Sequence, residues 1–224
     1  MISASMVKDL REASGAGMLD CKKALEATNG NMEEAINWLR EKGISKAAKK
    51  ASRIAAEGLA IAKMDGNTAV VVEVNSETDF VAKNEEFKSL VNTLADVILV
   101  NNITTVEAAL ELEVEGKAVS EIITEKVATI GEKITLRRFE KVTKNDSQVF
   151  GTYSHMGGKI VTLTVMEGND EELAKDIAMQ AAAMRPTYLN RDEIPEESDL
   201  KNIENVLLIK YIIENNIHNK GAEK

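Results

Sequence analysis

The 224-residue sequence is poor in several residue types, and each shortage excludes a kind of site. A single cysteine, Cys21, cannot form an intrachain disulfide, which favours a reducing compartment. The only histidines are His155 and His218, so a metal site would have to be built from these and from carboxylates. Neither histidine has a nucleophile or a ligand set near it in the sequence. We therefore expect no bound metal, no cofactor and no enzymatic activity.

Long apolar runs and excess positive charge are also missing. No stretch of about 18 apolar residues is present, and the N-terminus lacks a basic segment followed by an apolar one, so we expect a soluble, cytoplasmic protein without membrane contact. The net charge of −9, from 37 acidic and 28 basic residues, disfavours a broad phosphate-binding surface. Nucleic acid is therefore not expected to be a direct ligand.

What is present begins with helical patterns. Residues 5–42 predict three short helices, the third with Asn31 as N-cap, Glu34 completing a capping box, and an end at Gly43. The second is predicted to have Met18, Cys21 and Leu25 on its buried face, which makes Cys21 a core residue and not a nucleophile. From Ile44 the pattern predicts a basic helical connector, whose lysines and arginine we interpret as a solvated face.

Beyond residue 58 the period changes from helical to alternating, which predicts an α+β fold. A hairpin and a helix capped by Asn84 are followed by further helices and a strand, and then by a second hairpin and helix. The predicted elements are strands at 59–64, 69–75 and 133–139, helices starting at Asn84 and at 106–112 and 119–130, strands at 150–154 and 159–165, and a helix at 171–184. The core should thus contain two hairpin and helix subdomains with antiparallel sheets.

The whole pattern divides the chain into five parts. These are a three-helix domain at 1–43, a basic helical connector at 44–57, core subdomains at 58–145 and 146–195, and an apolar helix at 196–224. The last part is too apolar for an isolated exposed helix, so it needs a partner surface.

One segment between a strand and a helix combines acidic and aromatic residues. Thr78, Asp79, Phe80 and Val81 lie between the strand end at Asn75 and the helix cap. Phe80 can be a buried anchor of its own loop, as apolar loop residues often are. It can equally be an aromatic anchor with a polar rim at a binding site. The pattern alone leaves the two interpretations evenly balanced.

Two runs of sequence resemble known signatures, and the second run contains this segment. Leu10–Leu25, LREASGAGMLDCKKAL, and Glu73–Lys83, EVNSETDFVAK, resemble in order the two sequence signatures of the bacterial elongation factor Ts family. The resemblance covers roughly residues 1–195. Because many family members continue with a helical hairpin, it implies that 196–224 is the start of such a hairpin cut short, which would leave the second subdomain incomplete. It implies a three-helix domain similar to ubiquitin-associated (UBA) modules, followed by two α+β subdomains. It also implies a partner, the GTPase elongation factor Tu, and guanine-nucleotide exchange on it.

The resemblance further implies roles for particular residues. Asp79 and Phe80, within Thr78–Val81, are expected to push between helices of the partner near its magnesium and nucleotide. Arg11 and Met18 are expected to contact the partner's nucleotide-binding domain, and His155 matches a further contact position. A homodimer, or a heterotetramer with the partner, is possible. The alternatives are an adaptor that binds other proteins through the UBA-like domain and a shortened, impaired exchange factor.

Overall fold

The computed structural model describes residues 2–188 and divides them into two compact units. The first consists of the chain up to Gly58 with Val74–Leu90 and Thr105–Arg137. The second consists of Leu59–Glu73, Val91–Thr104 and the chain from Arg138 onward. The predicted apolar helix at 196–224 lies outside the described residues. The fold class is α+β as expected, whereas the predicted five-part division stays a prediction.

The first unit begins with three helices that share a small apolar core. They are α1 (Ala4–Ser14), α2 (Met18–Ala27) and α3 (Met32–Lys50). Leu10, Cys21, Ala24, Leu25 and Ala35 are fully buried between them. The predicted N-cap at Asn31 is confirmed, because its side-chain oxygen accepts from the Glu33 and Glu34 amides. The Glu34 carboxylate accepts from the Asn31 side chain, whereas the Asn31 backbone amide donates to the Thr28 carbonyl, so the reciprocal bond of a capping box is not formed.

Three other predictions for this region were wrong. Helix α3 does not end at Gly43 but continues to Lys50, and the missing side chain of Gly43 lets the helix lie close to Ala128. Met18 is 58% exposed and does not belong to the buried face. The predicted basic helical connector at 44–57 is helical only to Lys50, and Glu57 already begins a strand; of its basic side chains, Lys46 bonds Asp20, Lys50 bonds the Gly131 carbonyl and Arg53 bonds Glu77.

The remainder of the first unit contains a further long helix, which packs against α3. It contains α4 (Asp79–Ala82), the start of α5 (Glu85–Val100), α6 (Val106–Glu111), a two-residue hairpin of β3 (Glu113–Val114) and β4 (Lys117–Ala118), and α7 (Val119–Ile130). Helix α7 packs along α3 and ends, as predicted, at Gly131, whose φ of 91° is accessible to glycine. The β3–β4 hairpin was not predicted.

The strands form one larger sheet and one separate hairpin. β1 (Glu57–Asp65), β2 (Thr68–Ser76) and β5 (Thr135–Thr143) form a sheet in the order β1-β2-β5. Val70, Val72 and Val74 are buried, as their alternation predicted. The predicted helix cap at Asn84 is confirmed, and the predicted apolar stripe of α5, which runs from Phe87 to Ile98, is buried.

The separate hairpin of the second unit carries a helix against it. β6 (Gln148–His155) pairs antiparallel with β7 (Ile160–Glu167), and α8 (Glu171–Met184) packs on both strands. Helix and hairpin approach so closely that a Cβ at Gly151 would lie 1.9 Å from the Ala174 carbonyl oxygen. The Thr162 and Thr164 hydroxyls donate to carbonyls of α8. The predicted second hairpin and helix are thus confirmed.

Candidate functional site

Phe80 is exposed, and the backbone that carries it is not a loop but a single helical turn. We call residues 78–82 the Phe80 turn. Thr78 is its N-cap, with its hydroxyl oxygen 3.4 Å from the Val81 amide nitrogen, and α4 follows at Asp79–Ala82. The Phe80 side chain is 81% exposed, which excludes the interpretation as a buried loop anchor.

The exposed ring lies between two buried anchors. On one side Ser76 is fully buried and Asn75 is 8% exposed, and on the other Ala82 is 7% exposed. The Asn75 side chain donates to the Glu57 carbonyl at 2.9 Å, and the Ser76 hydroxyl donates to the Thr78 carbonyl at 3.0 Å. The Phe80 turn is therefore fixed at both ends, and only its tip projects into solvent.

Charged side chains surround the Phe80 turn. Asp79 and Lys83 form an ion pair of 2.7 Å across one turn of backbone, and this bond raises the pKa of Lys83. Glu77 accepts the Lys133 amide at 2.6 Å and pairs with Arg53 at 3.3 Å. These two contacts lower the pKa of Glu77, the backbone hydrogen bond more than Arg53. An exposed aromatic ring with a polar rim is typical of a protein-binding tip.

A carboxylate distant in sequence also binds the Phe80 turn, and the sequence had not pointed to it. Glu132 accepts three hydrogen bonds from Glu77 and Thr78: two amide nitrogens lie 3.0 Å from Oε2, and the Thr78 hydroxyl lies 2.6 Å from Oε1. The only signal in the sequence was the position of Glu132 directly after Gly131, which ends α7 and so predicts that Glu132 lies in a loop. No local pattern can reveal a partner 54 residues away.

The predicted contact residues of the N-terminal helices lie at the α1–α2 junction. Arg11 is exposed in the last turn of α1, and its carbonyl accepts the amide of Gly15. Met18 begins α2 and is 58% exposed, and the neighbouring Leu19 is 75% exposed. Leu19 was not predicted, although its position outside the Cys21–Leu25 stripe was a usable signal. Met18 and Leu19 form an exposed apolar pair, which we call the Met18–Leu19 surface.

The Met18–Leu19 surface is supported by an ion cluster under the start of α2. Asp20 accepts from Lys42 at 2.9 Å and from Lys46 at 2.7 Å, which ties α2 to α3. The hydrogen bonds from Lys46 and Lys42 lower the pKa of Asp20 to about 2. Asp20 is therefore ionised at neutral pH and joins two helices that also share the buried core.

His155, the remaining predicted site residue, belongs to the second unit. It ends β6, is exposed, and stacks on Tyr153 with 6.1 Å between ring centroids. The next residue, Met156, is 66% exposed and has a φ of 51° in the turn before β7. His155 thus lies at an exposed hairpin tip.

The other features of the described chain do not suggest a reaction centre. A cleft of about 480 Å³ lies between α3 and α7, and the charged side chains that line it are all in ion pairs, such as Arg40–Glu121 and Lys117–Glu125. Cys21 is buried. Within residues 2–188, no three His, Cys, Asp or Glu side chains are grouped to hold a metal ion. The same residues contain no helix long and apolar enough to span a membrane.

Two family descriptions match the sequence. The one described as elongation factor TS matches residues 77–221, which is more than half of the chain and begins at Glu77, one residue before the Phe80 turn. The one described as UBA/TS-N domain matches residues 2–39, which contain α1, α2 and the first part of α3. Together they cover the Met18–Leu19 surface and the Phe80 turn.

Proposed function

The chain belongs to the elongation factor Ts family of translation elongation proteins, and on that premise we propose that it is a guanine-nucleotide exchange factor for the GTPase elongation factor Tu. In this proposal the factor binds the GDP-bound partner and inserts Phe80 beside the magnesium and nucleotide. The observation that carries it is the 81% exposed Phe80 ring on a backbone turn fixed at both ends.

The proposed mechanism is a thermodynamic linkage and needs no covalent step on this chain. A GTPase holds GDP partly through a magnesium ion that bridges phosphate oxygens, so disturbing the ion or its ligands weakens the nucleotide. A factor that binds the nucleotide-free partner more tightly than the GDP-bound one must weaken GDP by the same ratio. GDP then leaves, and incoming GTP displaces the factor.

The N-terminal helices provide a second contact in this proposal. Arg11 and the Met18–Leu19 surface would rest on the partner's nucleotide-binding domain, so that Phe80 is delivered by a factor bound at two places. Exposed methionine and leucine contribute apolar area there, and Arg11 contributes charge. His155 is proposed as a smaller contact. The oligomeric state and the cytoplasmic location stay predictions.

The Phe80→Ala variant tests the proposal. Loss of a buried aromatic anchor at an interface costs about 2 kcal/mol or more, so we expect labelled GDP to leave elongation factor Tu at least about tenfold more slowly at a given factor concentration. Stopped-flow fluorescence measures the release. The matched control is Val100→Ala, which truncates another exposed apolar side chain, 72% exposed at the end of α5.

Unchanged GDP release by a folded Phe80→Ala variant would contradict the proposal. The adaptor alternative, in which the UBA-like helices bind other proteins, is separated by a second observation. An exchange factor immobilised on beads should retain elongation factor Tu and release it when GDP and magnesium are added in excess. Retention that ignores the nucleotide would favour the adaptor.

A further inference from the structure

Glu132 connects the end of α7 to the Phe80 turn through backbone and hydroxyl groups together. Its Oε2 accepts the Glu77 and Thr78 amides at 3.0 Å each, and its Oε1 accepts the Thr78 hydroxyl at 2.6 Å. Only a carboxylate supplies two oxygens with enough lone pairs for three donors. Hydrogen bonds to a charged acceptor are also about twice as strong as neutral ones.

These bonds also orient the helix cap. Because the Thr78 hydroxyl donates its proton to Glu132, its oxygen lone pairs are left for the Val81 amide, which they cap at 3.4 Å. Glu132 therefore acts on the first turn of α4 through the N-cap residue. The neighbouring Lys133 amide adds a bond in the opposite direction, to the Glu77 carboxylate at 2.6 Å.

A helix of four residues needs such support. Helix nucleation fixes several dihedral angles for one hydrogen bond, and helices shorter than about 12 residues are marginal in water on their own. Helix α4 has only four residues, and its central side chain, Phe80, contributes little burial because it is 81% exposed. The stability of this turn must come from contacts at its ends.

We propose that Glu132 is a positioning residue that holds the Phe80 turn in its binding-competent form before the partner arrives. The inference rests on the proposed function and deepens it by naming the group that holds Phe80 in position before binding. Without the Glu132 bonds, the turn is formed only part of the time. The apparent dissociation constant then rises in inverse proportion to the formed fraction, while the bound complex is unchanged.

The test variant is Glu132→Gln, in which one oxygen is replaced by an amide nitrogen that cannot accept hydrogen bonds. We expect the factor concentration for half-maximal GDP release to rise about tenfold, equivalent to about 1.4 kcal/mol, with the maximal release rate within about twofold of the parent. Phe80→Ala, which removes the inserted ring itself, should instead lower the maximal rate of GDP release. Glu125→Gln, at a carboxylate paired with Lys117, is the matched control.

Hydrogen exchange of the isolated protein provides a readout independent of elongation factor Tu. The Glu77 and Thr78 amides should exchange faster in Glu132→Gln than in the parent and in Glu125→Gln, because they lose their acceptor. Unchanged protection of both amides, or an unchanged half-maximal concentration, would overturn the inference. If the parent itself released no GDP, the proposed function would fail while the exchange data still decided whether Glu132 holds the turn.

A double-mutant cycle with Thr78→Val checks that Glu132 acts through the cap. In the Thr78→Val background, Glu132→Gln should raise the half-maximal concentration by less than in the parent, because part of the interaction is already absent. Fully additive effects would contradict action through Thr78. If Glu132→Gln unfolds, as seen by a lost thermal transition, Glu132→Asp replaces it, since the shorter side chain keeps the charge and loses reach.

Discussion

The Phe80 turn and the Met18–Leu19 surface both present apolar side chains to solvent, but they are supported by different forces. Phe80 lies on a four-residue turn held by hydrogen bonds to the carboxylate of Glu132. Met18 and Leu19 begin a ten-residue helix, and the opposite face of that helix is buried in the core through Cys21 and Leu25. An exposed binding residue can thus be positioned either by polar bonds to its backbone or by apolar burial behind it.

The largest expected effect comes from removing the apolar support. Leu25→Ala deletes buried methyl groups and should destabilise the three N-terminal helices by about 2–5 kcal/mol. Hydrogen exchange should show faster opening of α1 and α2, while the Val81 amide of the Phe80 turn keeps its protection. Equal loss of protection in both regions would contradict separate support. Leu19→Ala, at a 75% exposed position, is the control.

A smaller effect is expected from acid, through Asp20. Because the folded pKa of about 2 lies below the ordinary value of 3.8, the Asp20 contribution is complete above about pH 5 and is lost as pH falls toward 2. After discounting for partial exposure, we expect about 1–2 kcal/mol. Asp20→Asn should remove this part of the acid dependence, measured by urea unfolding at pH 6 and pH 3. An unchanged dependence would show that Lys42 and Lys46 contribute little.

The smallest effect on stability is expected at the exposed surface itself. Met18→Ala should change the free energy of unfolding by less than about 0.5 kcal/mol, because the side chain is 58% exposed. Under the proposed function it should raise the half-maximal factor concentration for GDP release several-fold. Met64→Ala, at a 49% exposed methionine of β1, should change neither quantity. Equal behaviour of the two variants would remove Met18 from the proposed contact.

Local patterns predicted the elements well wherever one stretch of chain contained all the determinants. The α5 stripe, the Asn31 and Asn84 caps and the end of α7 at Gly131 needed only neighbouring residues. Helix α8 was predicted with its observed bounds, Glu171–Met184. The prediction that the helix ends at Gly43 was wrong, because a glycine can either end a helix or permit close packing of two helices. Only the neighbouring helix α7 distinguishes these two roles.

The candidate site was predicted as a segment but not as a structure. Its residues Thr78–Val81 are contiguous, so their mixed acidic and aromatic character was visible in the sequence. The local pattern did not indicate the direction of Phe80, because a helical turn and a folded-back loop have the same local composition, and only the family resemblance favoured an exposed ring. The contacts of the basic connector were not predictable for a related reason, since Lys46, Lys50 and Arg53 bond Asp20, Gly131 and Glu77, which are distant in sequence.

The sequence by itself determined the periods, the caps, the α+β class and the position of the acidic-aromatic segment, because these depend on interactions within a few residues. Only the tertiary structure decided that Phe80 points outward, that Met18 is exposed and that Glu132 supports the Phe80 turn. The Glu132 contact, for example, joins groups 54 residues apart. Such groups come together only after loop closure, and no local preference encodes that.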